Sequence, residues 1–179
     1  MEKGTDRYGY EGDLKEGHPH GQGHRTWANG EEYKGQWKHG RRNGKGVQLY
    51  PKGSRYEGDW KDDERHGEGQ YFYTNGDRYR GFWQHNQKHG HGEYMFADGS
   101  IIQGMWDKGQ RNGLGNVYGS KRQLVAQGHF QNDVFTLLWQ LVFDPVSRAW
   151  HYSSPHGGAV STYRSRISRL PYSSFWFPE

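Results

Sequence analysis

The sequence predicts an all-β protein: an elongated, twisted antiparallel sheet of stacked 23-residue β-hairpins, with a partly irregular C-terminal tail. The first observation behind this is a spacing. Tyr10, Tyr33, Tyr56, Tyr79 and Ile102 lie 23 residues apart. Two residues later come Gly12, Gly35, Gly58, Gly81 and Gly104, and two further on Leu14, Trp37, Trp60, Trp83 and Trp106. The second is a pair of glycine columns in the same register, Gly21, Gly44, Gly67, Gly90 and Gly113, then Gly23, Gly46, Gly69, Gly92 and Gly115. Self-similarity at a fixed interval is the mark of a repeat architecture. The third is composition: 31% of the 179 residues are hydrophobic, yet 16% are aromatic and 28 are glycine. Aliphatic residues are too few for a closed core and rings too many for a disordered chain, so large rings must do most of the burying.

Each unit is read from its N-terminal end. Tyr33, Gly35 and Trp37 alternate with Lys34, Gln36 and Lys38, and a period of two means a strand with rings on one face. Gly35 leaves room between the rings for a close approach. Gly40-Arg41-Arg42-Asn43-Gly44 is expected to be the turn, and Gly46 to Tyr50 a second, short strand. Asn29-Gly30, Asn75-Gly76 and Asp98-Gly99 stand before the next first strand and carry the turn chemistry that links hairpins. Six units of two strands would extend roughly 60 Å at about 4.8 Å per strand, with little or no helix expected in residues 10–133. Residues 1–9 read as a lead, 10–133 as five clear units plus a degenerate sixth (Ala126-Gln127-Gly128-His129-Phe130), and 134–179 as an apolar segment and tail. Terminal repeats are often atypical because they cap the stack.

Without cysteine there is no disulfide or thiolate chemistry, as in a reducing compartment. No apolar run reaches the roughly 20 residues of a membrane span, and the N-terminus lacks a signal-peptide core. A cytoplasmic protein is expected. The net charge of +4 hides a sharp division. Residues 33–55 carry Lys34, Lys38, Arg41, Arg42, Lys45, Lys52 and Arg55 with no acidic residue, while residues 10–32 and 56–78 are net acidic. Two readings stand: a docking patch for an acidic partner or anionic lipid, or compensation between neighbouring hairpins within a Debye length. Nucleic acid is not expected, because the rings occupy repeat positions and the flanking units are acidic.

No catalytic, cofactor or metal site is expected. His20, His66 and His89 share one repeat position before a glycine and so are spread along the array, reading as turn histidines rather than converging ligands. Gly40 to Lys45 has the wrong spacing for a phosphate loop, and its glycines recur in every unit. No carboxylate lies in an apolar sequence context that would raise its pKa.

The units YKGQWKHGRRNGKGVQLYPKGSR, YEGDWKDDERHGEGQYFYTNGDR and YRGFWQHNQKHGHGEYMFADGSI resemble MORN repeats (membrane occupation and recognition nexus) over residues 10–122, with a poorer likeness over 126–133. The resemblance implies an antiparallel sheet with a groove lined by repeat aromatics. It also implies binding functions, as in cytoskeletal and ciliary scaffolds, membrane-junction proteins and regulatory arrays attached to enzymes. Arrays with units resembling RHGEGQYFY occur in ciliary radial-spoke proteins, so the axoneme of a cilium or flagellum is the favoured setting. Leu14 and Ile102 depart from the ring positions.

The sequence thus points to a non-catalytic scaffold or adaptor for protein partners, axonemal or tubulin-associated by resemblance. A membrane tether binding anionic lipid and a regulatory module for a partner enzyme are the alternatives. Tyr33, Trp37, Tyr56, Trp60, Tyr79, Trp83 and Trp106 are expected to form a thin core, with some rings left partly exposed to accept a peptide or helix. Lys34, Lys38, Arg41 and Arg42 form the basic patch. Residues 134–143 are the one apolar run, read as a last strand or a partner-binding segment. Arg164, Arg166, Arg169 and Trp176 give the tail the composition of an interaction anchor or of a segment folded back on the sheet. Open strand edges favour self-association.

Overall fold

The computed structural model describes residues 2–6, 9–144 and 148–153. The described residues form a single antiparallel sheet of fourteen strands in sequence order, with no helix. The strands are β1 (Glu2–Thr5), β2 (Tyr10–Lys15), β3 (His18–Thr26), β4 (Glu32–Lys38), β5 (Arg41–Leu49), β6 (Arg55–Lys61), β7 (Glu64–Phe72), β8 (Arg78–Gln84), β9 (Gln87–Met95), β10 (Ile101–Asp107), β11 (Gln110–Tyr118), β12 (Leu124–Gln131), β13 (Val134–Asp144) and β14 (Ala149–Ser153). The expected all-β stack of hairpins is what forms. Pairing also continues past the array, through β1 before it and through the apolar run as β13 after it.

The turn within each hairpin lies earlier than its glycines suggest. In the second unit it is His39-Gly40, and Arg41 to Gly44 already belong to β5. Both turn residues are left-handed, His39 at φ 49° and Gly40 at 79°, as are Asp62 and Asp63, and His85 and Asn86. This is the two-residue geometry that matches the twist of a hairpin. His20, His66 and His89 consequently sit in second strands, not in turns. The links between hairpins are where expected: Gly30, Gly53, Gly76 and Gly99 each donate to the carbonyl three residues back.

The two glycines of each G-x-G do different work. The first, Gly44 at φ +77°, takes a left-handed conformation where the second strand carries extra residues opposite Gly35 and Trp37. The second, Gly46, leaves space: a Cβ there would stand 2.2–2.4 Å from the Tyr33 ring. Gly46 pairs with Gly35 on one side and Gly58 on the other, and the pairing repeats strand by strand from Gly4 to Gly128. A spine of glycines therefore crosses the sheet perpendicular to its strands, and the tyrosine rings lie against it.

Candidate functional site

The two faces of the sheet are chemically different. On one face the tyrosines and tryptophans interlock. Trp60 meets Tyr56 of its own unit at 5.1 Å and Tyr33 of the preceding unit at 5.4 Å, both edge to face. Trp37, Trp83 and Trp106 continue the chain from Tyr10 to Tyr79. Each phenol donates to a carbonyl three residues on, as Tyr33 Oη does to Gln36 O at 2.9 Å. The indole N–H groups of Trp37, Trp60 and Trp83 donate to glycine carbonyls fourteen residues earlier, at 3.2–3.3 Å.

This ring face is sealed. Tyr33, Tyr56 and Tyr79 are fully buried, and Trp37, Trp60, Trp83 and Trp106 keep at most 5% of their surface. The expectation that some of these rings stay partly exposed is therefore corrected, and with it the idea of an open groove lined by them. The cause is a column of cations that sequence reading overlooked. Arg42, Arg65 and Lys88 lie 4.3, 4.6 and 4.5 Å from the rings of Trp60, Trp83 and Trp106, each in the next unit, and Arg111 lies 5.0 Å from Phe130. A second ring layer, Tyr50, Tyr71, Tyr73 and Tyr94, packs beside them. The signal was present, since these four cations also recur at the repeat interval. Burial raises the pKa of Tyr33, Tyr56 and Tyr79 well above the usual phenol range, and that of Tyr73 to about 12.

The open groove, about 890 Å³, lies on the opposite face. Its floor is bare backbone at Gly58, Gly69, Gly81, Gly92, Gly104 and Gly115. One wall is polar: Arg80, Glu93, Gln103, Asn116 and Gln127 pair across successive strands. The other wall changes along the array. In the first three units, Asp13, Gln36 and Asp59 accept the bulge amides of Gln22, Lys45 and Glu68 at 2.9–3.0 Å. Phe82 and Met105 hold the same position in the fourth and fifth units, and with Leu114 they remain 38–60% exposed. The groove is thus polar throughout on one side, and on the other it gains the exposed side chains of Phe82 and Leu114 toward the C-terminal end, with His91 between them.

The basic unit divides in two. Arg42 pairs with Asp63 at 3.1 Å, Lys45 with Asp59 at 2.8 Å and Arg55 with Glu57 at 3.1 Å, so three of its cations are matched to the acidic third unit. Arg42 belongs to the sealed face and leaves the surface patch. Lys34, Lys38, Arg41 and Lys52 are exposed. Arg164, Arg166, Arg169 and Trp176 lie outside the described residues. Among the described residues no cluster of three metal-ligating side chains forms, and no helix is long and apolar enough to cross a membrane.

Comparison with known proteins bears on the repeat itself. The family model described as MORN repeat matches residues 10–32, 33–55, 56–78, 79–101 and 103–119. No curated protein matches the chain. Among solved structures, similarity is found to the TCP domain of SAS-4 (dCPAP) of Drosophila melanogaster, in complex with a proline-rich motif of Ana2 (dSTIL). The identity is 13% and the TM-score 0.42, over 80% of this chain and 84% of that one.

Proposed function

The chain belongs to the MORN-repeat family, whose arrays are commonly scaffold or membrane-binding modules, and on that premise we propose that it is a non-catalytic scaffold docking a protein partner in the glycine-floored groove. The observation that carries this is the division of the groove. Phe82 and Leu114, with His91 between them, line one side at its C-terminal end and a row of amides and charges the other, over a floor of glycine backbone. The complementary ligand is an amphipathic segment of a partner protein, laid across the strands with its apolar side on Phe82 and Leu114. The tyrosines and tryptophans contribute by holding the sheet, since they are sealed. A cytoskeletal setting, the axoneme in particular, is part of the proposal and is supported by the family likeness of units such as Arg65–Tyr73.

The test places a photo-crosslinking residue at position 114 or 82 in the full chain and identifies cross-linked proteins from cytoskeletal extracts. The same partner is expected from both positions and is lost in Phe82→Asp, whose thermal unfolding should match the wild type because Phe82 is 44% exposed. A partner retained by that variant would exclude the groove. A second reading, anionic lipid at Lys34, Lys38, Arg41 and Lys52, is favoured by their exposure. Sedimentation with phosphatidylserine vesicles that disappears on reversing Lys34, Lys38 and Arg41 to Glu would support it.

A further inference from the structure

The cation that the fourth unit places on the sealed face, third in the column, differs from its neighbours. At the other positions, the second residue of the next unit's turn supplies a side-chain oxygen to the cation-bearing residue. Asp63 Oδ1 accepts the Arg42 backbone N–H at 2.9 Å and Nε at 3.1 Å. Asp133 Oδ1 accepts the Arg111 N–H at 3.0 Å and Nε at 2.6 Å. Asn86 Oδ1 accepts the Arg65 N–H at 3.0 Å. The turn's backbone completes each tie by donating to the carbonyl of the same cationic residue.

At the remaining position, between the fourth and fifth units, the residues are Lys88 and Gly109. Gly109 N still donates to Lys88 O at 3.0 Å, so the backbone half of the tie is intact. Glycine has no oxygen to offer the Lys88 N–H, and nothing stands within 4 Å of where a Cβ at Gly109 would be. The ammonium sits among four rings, 5.5 Å from Tyr73, 5.1 Å from Tyr79, 4.8 Å from Tyr94 and 4.5 Å from Trp106. The place is open to ligands from outside: Asp63 and Asp133, which fill it in their own units, keep 46% and 41% of their side-chain surface exposed.

We propose that the junction of the fourth and fifth units is a carboxylate-binding position, taking an aspartate side chain of a protein partner on the Lys88 backbone N–H and ammonium. The chain itself holds a carboxylate at the equivalent places, where Asp63 and Asp133 accept the backbone N–H and the Nε of Arg42 and Arg111; at Lys88 the ammonium takes the part of Nε. Burial also lowers the Lys88 pKa to about 8, so a carboxylate arriving there stabilises a charge the rings leave poorly solvated. The inference does not depend on the groove, which lies on the other face.

The probe is a short blocked peptide with one aspartate, titrated into the ¹⁵N-labelled full chain at pH 7 and constant ionic strength, with the matching asparagine peptide as control. A saturable shift of the Lys88 amide is expected with the aspartate peptide and a shift at least several-fold smaller with asparagine. In Gly109→Asp the Lys88 amide should move without ligand and stop responding, because the new side chain occupies the position. Sodium acetate shows whether a free carboxylate suffices: saturation by acetate at Lys88 also supports the position, since the recognised group is the same. Equal, non-saturating shifts with both peptides, or an unchanged response in a folded Gly109→Asp variant, would overturn the proposal.

Discussion

Glycine at the second G-x-G position is a matter of space. Gly46 and Gly53 both lie in the second unit, yet substitution should have very different results. A Cβ at Gly46 meets the buried, hydrogen-bonded Tyr33 ring at 2.2–2.4 Å, so Gly46→Ala must displace the ring or the strand. It should cost about 3 kcal/mol or more, as overpacking at a rigid core site does. Gly53 has open space around it but a φ of +89°, so Gly53→Ala should cost only about 1–2 kcal/mol of left-handed strain. Urea unfolding midpoints of the two variants separate these effects, and near-equal losses would argue against the ring contact. Gly109→Asn is the opposite case. Asparagine already holds a left-handed turn position at Asn86, and at 109 it would supply the Lys88 N–H with an acceptor, raising stability by up to about 1 kcal/mol.

Among the hairpins, the junction of the fourth and fifth units is the least well tied. Lys88 lacks a side-chain acceptor, Ile102 stands where the first four units have tyrosine, and Trp106 Nε1 is buried without a hydrogen-bond partner. Stability within a fold is not uniform, and the weaker interface opens first. Hydrogen exchange should therefore show lower opening free energies for β9 and β10 amides than for those of β5 and β6. The irregularity at Ile102 is also compensated. A Cβ at Gly115 would meet the Phe130 ring at 2.6 Å, so a phenylalanine from the following unit covers the glycine that a tyrosine covers elsewhere. Restoring the repeat with Ile102→Tyr should for that reason destabilise by about 1–3 kcal/mol, a loss relieved by Phe130→Ala in the same chain.

For the whole molecule, stability is a sum over units and their interfaces. Removing residues 56–78 keeps every column in register, joining Arg55 to Tyr79. The product should fold to an all-β spectrum with a lower midpoint, whereas removing one residue fewer should abolish cooperative unfolding. The sealed rings also set the alkaline limit. Unfolded tyrosines lose protons near pH 10, while Tyr33, Tyr56 and Tyr79 are held higher by burial. Above pH 10 the folded chain therefore binds more protons than the unfolded one, and stability must fall as pH rises. Lys88 acts in the other direction between about 8 and 10.5, where the unfolded chain binds the extra proton, but it is one group against several. The urea midpoint at pH 11 should lie below that at pH 9.

The repeat interval, the strand at each Tyr-x-Gly-x-Trp and the links at Asn-Gly and Asp-Gly were legible in the sequence. Each rests on period-two alternation or on the chemistry of one or two adjacent residues. The turn at His39-Gly40 was not, because the glycines of G-x-G look like turn residues until Gly44 is seen to serve a bulge and Gly46 a ring. Nor was the sealing of the aromatic face. Alternation places Tyr33 and Trp37 on one side of a strand, but their exposure depends on what the next hairpin lays over them. Trp60 is closed by Arg42, eighteen residues earlier, and Arg42 is held by Asp63, twenty-one residues later. Contacts of that reach exist only once hairpins are stacked, so tertiary packing decided which face is core and which is left open to a partner.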